Sequence, residues 1–508
     1  MHAKWARILL RRRVFVLFLI LLQLFLMGAS VYASSQNHWW VSVLLTLLSV
    51  GAMLYVIANT RRSGNKLLWT VIILLFPLFG GLLYLLIRLQ TINESFRRNL
   101  QKAERDAAPY YKKENPLARL RAAFPDYYHH GRFLVKEGGF RVFSDSKTTY
   151  LSPGESFFEA LLSALSSAHD FIFLEYFIIA DGSLWRSVLE VLKQKAAEGV
   201  DVRLIYDDLG CFFRLPADYR ETLEKAGIRC VVFNPFRPAL STLQNNRDHR
   251  KIAVIDGKIA FTGGINLADE YRGEGSRFGY WKDAAIRIEG PAVDGFTLMF
   301  LTLWQALTGA RADFGKYVNR AKPITGETGL VIPFCDSPVD EKLVSEQVYM
   351  NIIGSARDTL FIQTPYLIID DIMSAALIAA AKNGVDVRIM TPGIPDKRYA
   401  HATTRSYYRE LLRGGVKIYE FTPGFIHSKT IVADKKLACI GTINFDCRSL
   451  YLHFECAALL FGGETPSVLS ADFSKTQAKC RAVTEQDCKV GLLGSVIRSL
   501  LRLFAPLL

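Results

Sequence analysis

The sequence lacks the cysteine patterns that mark a zinc site or a disulfide framework. No Cys-x-x-Cys pair occurs, and no cysteine and histidine stand at the spacing of metal ligands. The eight cysteines are Cys211, Cys230, Cys335, Cys439, Cys447, Cys456, Cys480 and Cys488. We therefore predict buried thiols and expect neither a metal ion nor another cofactor.

Charged residues are absent from three stretches near the N-terminus, residues 14–33, 39–58 and 67–87. Each has about 20 residues, the length that crosses roughly 30 Å of hydrocarbon. Hydrophobic residues make up 50% of the chain, which fits membrane segments attached to a globular body. We predict three transmembrane helices within residues 1–88.

The first and third stretches each allow a second interpretation. A basic cluster in the first 13 residues precedes the first stretch, and its end at Ala33 suits signal-peptide cleavage. We favour an uncleaved span because the apolar run is longer than a usual signal core. The third stretch contains Pro77, Gly80 and Gly81, so a kinked or re-entrant helix is an alternative there.

Basic residues on both sides of these stretches leave the orientation open. The N-terminal cluster and Arg61, Arg62 and Lys66 favour the cytoplasm, and three spans would then place the remaining chain outside. The basic connector, 89–135, favours the inside instead, and is either a solvated helix or in contact with anionic headgroups. We predict a multi-pass protein of the cell membrane, with the side of its catalytic domain undecided.

The formal net charge is +14 at pH 7, which suits either nucleic acid or anionic lipid as a partner. Residues 489–508 contain no acidic residue, and their polar side chains form one helical stripe: Ser495, Arg498, Ser499 and Arg502. Core packing would explain such a helix equally simply. The basic polar face and terminal position lead us to favour an amphipathic helix on a membrane surface.

The string Gly-Val-Asp-Val-Arg occurs at 199–203 and again at 384–388, and it anchors an internal repeat. In each half, amphipathic helices alternate with buried strands. This alternation predicts an α/β fold with two homologous lobes, each a mostly parallel sheet flanked by helices. The predicted lobes are residues 136–320 and 321–488.

An eight-residue pattern, His-x-Lys-x-x-x-x-Asp, also occurs twice, as His249, Lys251 and Asp256 and as His427, Lys429 and Asp434. After six further residues, each copy is followed by a turn that ends in Asn, at Asn266 and Asn444. About two-hundredths of a chance match is expected for one copy. Two copies with matching tails therefore indicate a duplicated catalytic half-site rather than structural histidines.

Side chains alternate along a strand, so His and Lys of each copy share one face while Asp lies on the other. All six are our candidate catalytic residues, with Asp256 and Asp434 interpreted as ion-pair anchors. Pseudo-twofold packing of the lobes would bring both histidines to one cleft.

The lysines and asparagines suit non-bridging phosphoryl oxygens, while one histidine attacks phosphorus and the other protonates the departing oxygen. An acidic partner is expected at the far nitrogen of each imidazole. The candidates are Asp283 in the first half and Glu455 in the second, each about 30 residues after its histidine.

The two motifs, HRKIAVID with GGIN and HSKTIVAD with GTIN, resemble the paired HKD motifs of the phospholipase D superfamily. The order of elements is similar to that of the bacterial cardiolipin synthases over nearly the whole chain. Further support comes from the apolar segment 76–86, the strand 174–178, the turn 290–293 and the string 446–449.

This resemblance implies a bilobal phospholipase D fold and the conversion of two phosphatidylglycerol molecules into cardiolipin and glycerol through a phosphatidyl-histidine. It implies His249 as the nucleophile and His427 as the acid, although the symmetry leaves the reverse assignment open. Two departures stand out. Gly264 and Thr442 replace a Ser that is frequent in the family, and Gly264 offers no hydroxyl to the phosphate. The stretch 14–33 looks like an extra span.

Three alternatives remain beside a phosphatidyltransferase. A phospholipase D-type hydrolase would use water in the second step, and the motif does not separate the two. A catalytically silent lipid-binding protein is disfavoured by two intact motifs, and a nuclease by the apolar segments. We expect phosphatidylglycerol and anionic membrane lipid as partners, no nucleic acid, and leave the oligomeric state open.

Overall fold

The computed structural model describes Phe25 and residues 39–60, 63–76, 80–81, 84, 94–111, 117–235, 245–273, 277–340 and 342–507. The predicted segment 14–33, apart from Phe25, and the interrupting Pro77 lie outside the described residues. The chain forms two compact units, and the larger one comprises Asn93–Pro235 and Asn246–Arg498.

The smaller unit contains the helices α1 (Trp39–Asn59) and α2 (Ser63–Leu75). Its buried cluster includes Val56, Trp69 and Tyr84, and the last two rings meet edge to face at 5.3 Å. Within the described ranges, no helix combines the length and apolar character needed to traverse a bilayer. The three transmembrane segments therefore stay a prediction.

The larger unit begins with three helices that precede the sheets, α3 (Glu94–Tyr111), α4 (Leu117–Ala123) and α5 (Tyr128–Lys136). The first lobe is built on a seven-stranded sheet in the order β1-β8-β6-β5-β2-β3-β4. Its strands are β1 (Lys147–Leu151), β2 (Phe171–Tyr176), β3 (Asp201–Asp207), β4 (Arg229–Phe233), β5 (Lys251–Ile255), β6 (Ile259–Gly263) and β8 (Ala285–Glu289), and β7 (Tyr280–Lys282) lies outside it. Its helices are α6 (Gly154–Ser166), α7 (Ser183–Ala197), α8 (Asp208–Cys211), α9 (Tyr219–Lys225), α10 (Val293–Thr308) and α11 (Phe314–Tyr317).

The second lobe has an eight-stranded sheet in the order β19-β13-β12-β10-β15-β16-β18-β9. These strands are β9 (Leu330–Asp336), β10 (Thr359–Gln363), β12 (Asp386–Pro392), β13 (Lys417–Phe421), β15 (Thr430–Ala433), β16 (Leu437–Gly441), β18 (Glu455–Phe461) and β19 (Cys480–Ala482). Shorter strands are β11 (Leu367–Ile368), β14 (Gly424–Ile426) and β17 (Phe445–Asp446). The helices are α12 (Val344–Ser355), α13 (Asp371–Lys382), α14 (Arg398–Arg413), α15 (Cys447–Tyr451) and α16 (Thr465–Gln477). A further helix, α17 (Leu492–Phe504), follows the lobe, and its residues from Ser499 onward are assigned to the smaller unit.

The two sheets repeat one topology. Read from one end, β4-β3-β2-β5-β6-β8-β1 corresponds strand by strand to β13-β12-β10-β15-β16-β18-β9. Both lobes share a hydrophobic core, in which the Phe173 and Phe300 rings of the first lobe stack at 4.6 Å. The internal repeat read from the sequence is thus a repeat of structure.

The prediction of mostly parallel sheets is wrong. Only β2-β3-β4 and β10-β12-β13 run parallel, and the other neighbours within both sheets are antiparallel. Helical crossovers produce parallel pairs in the first part of each lobe. The motif strands instead fold back as tight hairpins, and Asp256 and Gly257 take positive φ between β5 and β6.

Candidate active site

Strand pairing between the lobes brings the two motifs into one site. Asp248 forms a β-bridge with Phe454, and the His249 amide donates to the Phe454 carbonyl at 2.9 Å. In the other half, β14 pairs with β7 and places Ile426 opposite Lys282. The His427 amide donates to the Lys282 carbonyl at 2.7 Å. One residue beyond each bridge, a histidine of one lobe faces a carboxylate of the other.

Each imidazole is held by the acidic residue of the opposite lobe. Nδ1 of His249 lies 2.9 and 3.0 Å from the two oxygens of Glu455, and Nδ1 of His427 lies 2.7 Å from Oδ2 of Asp283. The sequence had placed Asp283 with the first half and Glu455 with the second. The structure brings both into the site, but with their partners exchanged between the lobes.

Burial keeps both imidazoles uncharged at neutral pH. It lowers the pKa of His249 to about 3 and that of His427 to about 4. Burial alone would raise the pKa of Glu455, but the facing His249 and His453 bring it below its usual range, so it is ionised. An ionised carboxylate only accepts hydrogen bonds. Nδ1 of His249 is therefore the donor, and its Nε2 carries a free lone pair.

The two motif lysines lie beside the histidines, as strand alternation predicts. Nζ of Lys251 donates to the His249 carbonyl at 2.5 Å, and Nζ of Lys429 donates to the His427 carbonyl. Burial lowers the pKa of Lys251 to about 8 and that of Lys429 to about 7. Lys251 also lowers the pKa of both Lys429 and His427, which shows that charges from the two lobes meet here.

The two asparagines differ in their surroundings. Oδ1 of Asn266 accepts from the Ile178 amide at 3.0 Å, and its Nδ2 donates to the Tyr271 hydroxyl at 2.6 Å. The Tyr271 ring in turn lies 5.5 Å from the ring of His427. Asn444 is also buried, but its Oδ1 has no hydrogen-bond partner among the described residues. Asn266, which follows the first motif, thus holds the tyrosine whose ring packs against His427 of the second motif.

The motif aspartates lie at the far ends of their strands and hold backbone amides. Asp256 accepts from the amides of the three residues 169–171 at 2.8–3.0 Å. Asp434 accepts likewise from the amides of residues 357–359 at 2.8–2.9 Å. Lys258 approaches Asp256 only to 3.9 Å. These contacts fix the starts of β2 and β10, so the anchoring is mainly by backbone hydrogen bonds.

Gly264 and Thr442 occupy equivalent positions after the two motifs. Each lies next to one of the two carboxylates, Asp283 and Glu455 respectively. The Thr442 hydroxyl donates to Glu455 and accepts from the Cys456 amide at 3.0 Å. A side chain at Gly264 would collide with the carboxyl group of Asp283. The missing hydroxyl at Gly264, expected to weaken phosphate contacts, therefore leaves room for a carboxylate.

A third histidine, His453, was not singled out from the sequence. Its ring lies 5.5 Å from that of His249, and its Nδ1 lies 3.8 Å from Oε1 of Glu455. The available signal was its position two residues before a candidate carboxylate, which places both on one strand face. His249, His453 and Glu455 offer donor atoms within 4.8 Å of one another. An ion bound by Glu455 would compete with its hydrogen bond from His249.

Related sequences identify the family. Cardiolipin synthase 2 of Bacillus anthracis is 35% identical over 468 residues, which cover 90% of this chain and 89% of that protein. The chain belongs to the cardiolipin synthase family. A protein of Streptococcus mutans described as uncharacterized is 43% identical over 461 residues, covering 90% of this chain and 100% of the relative.

Two family models match this cardiolipin synthase family member. The model described as "Cardiolipin synthase, PLD-like domain" matches residues 161–273 and 349–476, and "Phospholipase_D-nuclease N-terminal" matches residues 40–88. The crystal structure of phosphatidylserine synthase from Haemophilus influenzae Rd KW20 superposes with a TM-score of 0.54 at 13% identity. That likeness covers 71% of this chain and 93% of the other, and shows a shared fold. As a member of the family, the chain is an enzyme, a phosphatidyltransferase.

Proposed function

We propose that this enzyme transfers a phosphatidyl group between two phosphatidylglycerol molecules and releases glycerol and cardiolipin. The observation that carries the proposal is the pair of buried, uncharged imidazoles, each oriented by a carboxylate from the other lobe. Such a pair supplies a nucleophile and a proton carrier on opposite sides of one phosphorus atom. Relatives named cardiolipin synthase support cardiolipin as the product.

In the first step, Nε2 of His249 attacks phosphorus, and the bond from phosphorus to the glycerol headgroup oxygen breaks as His427 protonates that oxygen. In the second step, His427 removes the proton from a hydroxyl of another phosphatidylglycerol. The resulting oxygen attacks phosphorus, and the phosphorus–nitrogen bond breaks. Lys251 and Lys429 stabilise the charge on the non-bridging oxygens in both steps.

The proton on His427 has to be acquired when the lipid binds. Burial holds the pKa of His427 at about 4 in the free protein, so at neutral pH its one proton is on Nδ1, facing Asp283, and Nε2 has no proton to give. A bound phosphodiester places a negative charge beside the imidazole and raises its pKa. Lipid binding and proton uptake are therefore coupled in this mechanism.

The test is to give the purified full chain, in micelles, phosphatidylglycerol alone and to identify the products. Cardiolipin with an equal amount of glycerol is expected. Phosphatidic acid as the main product would instead show water as the acceptor and would make the enzyme a hydrolase.

The histidine pair is tested by His249→Ala and His427→Ala, each expected to abolish turnover. His169→Ala is the matched control because this histidine lies on the surface and only its backbone amide contacts Asp256. A variant at either site position that kept normal activity would overturn the two-histidine mechanism.

The membrane location belongs to the same proposal. It is supported by the uncharged stretches 14–33, 39–58 and 67–87 and by the basic connector that follows them. Attachment through these stretches would keep the active site close to its lipid substrates.

A further inference from the structure

The larger unit exposes apolar side chains at its C-terminal end, where Val490, Leu492, Leu493, Val496 and Ile497 are exposed. Before residue 489, its exposed apolar side chains are concentrated at one edge of the sheets. In the described part of residues 94–488, the exposed large hydrophobic residues are Leu209, Phe213, Ile372, Ile394, Tyr399 and Val468. The first five, which we name the apolar rim, all lie in loops or first helical turns that follow sheet strands. Phe213 is 92% exposed. Scattered exposed apolar residues are ordinary, but their concentration at one place marks an interaction surface.

In the first lobe, strand directions place the rim at the edge that carries the histidine. β2 and β3 are parallel, and β5 runs against β2 with Lys251 opposite Tyr176. His249, just before β5, therefore lies where β2 and β3 end. Leu209 and Phe213 follow the end of β3 directly.

The second lobe repeats this arrangement. β15 runs against β10 with Thr430 opposite Gln363, so His427 lies where β10 and its parallel neighbour β12 end. Ile372 is in the first turn of α13, after β10, and Ile394 and Tyr399 follow β12. Val468 follows β18, which starts at the site and runs away from it, so this residue lies at the opposite edge.

Direct contacts connect the rim to the site. The Ile394 amide donates at 3.2 Å to the carbonyl of Gly424, at the start of the strand that leads into His427. In the first lobe, Gly210, which follows Leu209, lies so near the carbonyl of Phe177 that a Cβ there would collide with it, and the Phe177 ring lies 5.0 Å from that of His249. Counted from the shared Gly-Val-Asp-Val-Arg string, Leu209 and Ile394 occupy the same position of the repeat.

Exposed cations accompany only one part of the rim. Lys397 and Arg398 are exposed and stand between Ile394 and Tyr399, and Asp396 beside them is paired with the Tyr366 hydroxyl. Elsewhere carboxylates adjoin the rim, since the exposed Asp371 precedes Ile372 and the half-buried Asp208 precedes Leu209. Contact with anionic lipid is therefore assigned to the segment from Ile394 to Tyr399. In the first lobe, Arg214 follows Phe213 but is paired with Glu270 at 2.6 Å, so the positive charge comes mainly from the second lobe. Apolar side chains interleaved with cations are the combination that binds the interface of an anionic bilayer.

We propose that the apolar rim inserts into the surface of an anionic lipid bilayer and holds the two-histidine site against it. The phosphorus atom of a lipid headgroup then comes within reach of Nε2 of His249, while the acyl chains of that lipid stay in the membrane. This inference rests on the proposed function, since it assumes lipid substrates. A protein partner or a second copy of the chain over the rim is a competing outcome.

The test compares a rim variant, Phe213→Ser with Tyr399→Ser, on two forms of the substrate. The full chain is reconstituted in vesicles of phosphatidylglycerol and phosphatidylcholine, or assayed with monomeric short-chain phosphatidylglycerol in dilute detergent. We expect activity in vesicles to fall about 10-fold or more, because two large side chains lose their burial in lipid, and activity on the monomeric substrate to persist. Val468→Ser, at the opposite edge, is the matched control and should behave like the unaltered chain.

Equal losses on both substrate forms would overturn the rim as a membrane contact. Failure of the proposed function looks different, because the unaltered chain would then make no cardiolipin from either form. A direct readout is the quenching by brominated lipid that Phe213→Trp adds to the quenching of the native tryptophans of the unaltered chain, compared with Val468→Trp. Added quenching is expected only in the first variant. Its absence, or a rim covered by a second chain in crosslinking experiments, would sink the proposal.

Discussion

Glu455 and Asp283 determine which nitrogen of each imidazole is free to react. Replacing either carboxylate by its amide keeps the size but removes the charge that selects the Nδ1–H tautomer. We expect Glu455→Gln and Asp283→Asn each to lower kcat by about 10²–10⁴-fold, the range for losing a histidine-orienting carboxylate. The measurement is steady-state cardiolipin formation. Unchanged kcat in both variants would show that the carboxylates are structural only.

In its proposed role, Lys429 is expected to make the activity of the free enzyme sensitive to pH near neutrality. Burial lowers the pKa of this ammonium to about 7, and only the protonated form stabilises phosphoryl charge. As the pH rises through about 7, the charge is lost, so kcat/KM is expected to fall on the alkaline side. Lys429→Arg keeps its charge at every accessible pH and should move this limb upward toward the pKa of Lys251, about 8.

The kcat profile provides the internal control for this assignment. A bound phosphodiester raises the lysine pKa, so the alkaline limb of kcat should lie at higher pH than that of kcat/KM. An alkaline limb that stays in place in Lys429→Arg would assign the titration to another group.

The residue types of the site were predictable from sequence, but their partners were not. The doubled motif and the spacing to Asp283 and Glu455 selected side chains that the structure brings together. Which carboxylate meets which histidine depends on the pairing of β7 with β14 and of Asp248 with Phe454, between residues far apart in sequence. His453 was missed because it lies outside the doubled motif, and its position two residues before Glu455 was the only signal that pointed to it.

At the scale of the element, the shape that the two motif hairpins share depends on their aspartates. Asp256 and Asp434 take φ of 53° and 54°, a left-handed conformation that Asp tolerates better than most residues. From there each carboxylate receives three backbone amides at the start of the neighbouring strand. One residue thus forms the turn and ties β5 to β2, or β15 to β10.

We therefore expect Asp256→Ala to act on stability rather than on chemistry. The loss of its hydrogen bonds should lower the free energy of unfolding by about 1–3 kcal/mol, while turnover per folded molecule changes little. Asp256→Asn should cost less, because Asn tolerates the left-handed turn and keeps one acceptor oxygen. Thermal unfolding in micelles with parallel activity assays measures both. A loss of turnover in fully folded Asp256→Asn would give the aspartate a chemical role.

A second element-scale prediction concerns helix α5, which packs on the second lobe through His130. Nε2 of this buried histidine lies 3.1 Å from the Ser355 hydroxyl, and burial lowers its pKa from 6.5 to about 3. The folded protein keeps His130 neutral while the unfolded chain protonates it below pH 6.5. The stability contributed by neutral His130 is thus present above pH 6.5 and is lost as the pH falls toward 3.

His130→Gln removes this titration, so the difference in unfolding free energy between the unaltered chain and the variant should change with pH. Between pH 7.5 and pH 5, the unaltered chain is expected to lose about 2 kcal/mol relative to His130→Gln. Chemical unfolding at the two pH values measures the change. A constant difference would mean that His130 is not kept neutral by its burial.

The two sheets show that the lobes and their repeat could be predicted from the sequence, whereas the directions of the strands could not. Helix and strand periodicity with the repeated string predicted two homologous α/β lobes, and the strand order bears out the repeat. The predicted strand directions were wrong. The prediction assumed that a helix connects every pair of neighbouring strands, as one connects β2 to β3, and so made the whole sheet parallel. The hairpin from β5 to β6 needs only the tight turn at Asp256 and Gly257, which reverses the chain without a helix.

On the scale of the whole molecule, one chain supplies both halves of a single site. The hydrogen bonds from His249 to Glu455 and from His427 to Asp283 both cross between lobes within one compact unit. Each lobe alone holds an imidazole without its carboxylate. Joining the two repeats in one chain therefore completes both imidazole–carboxylate pairs.

This arrangement makes a clear prediction for mixtures of inactive chains. When His249→Ala and His427→Ala chains are produced together, we expect no more activity than the sum of the two alone, because every site lacks one histidine. Co-production of the unaltered chain with His249→Ala, which should retain the activity of the unaltered fraction, shows that mixing itself does no harm. Recovered activity in the first mixture would mean that lobes exchange between chains, so that a site with both histidines forms across two molecules.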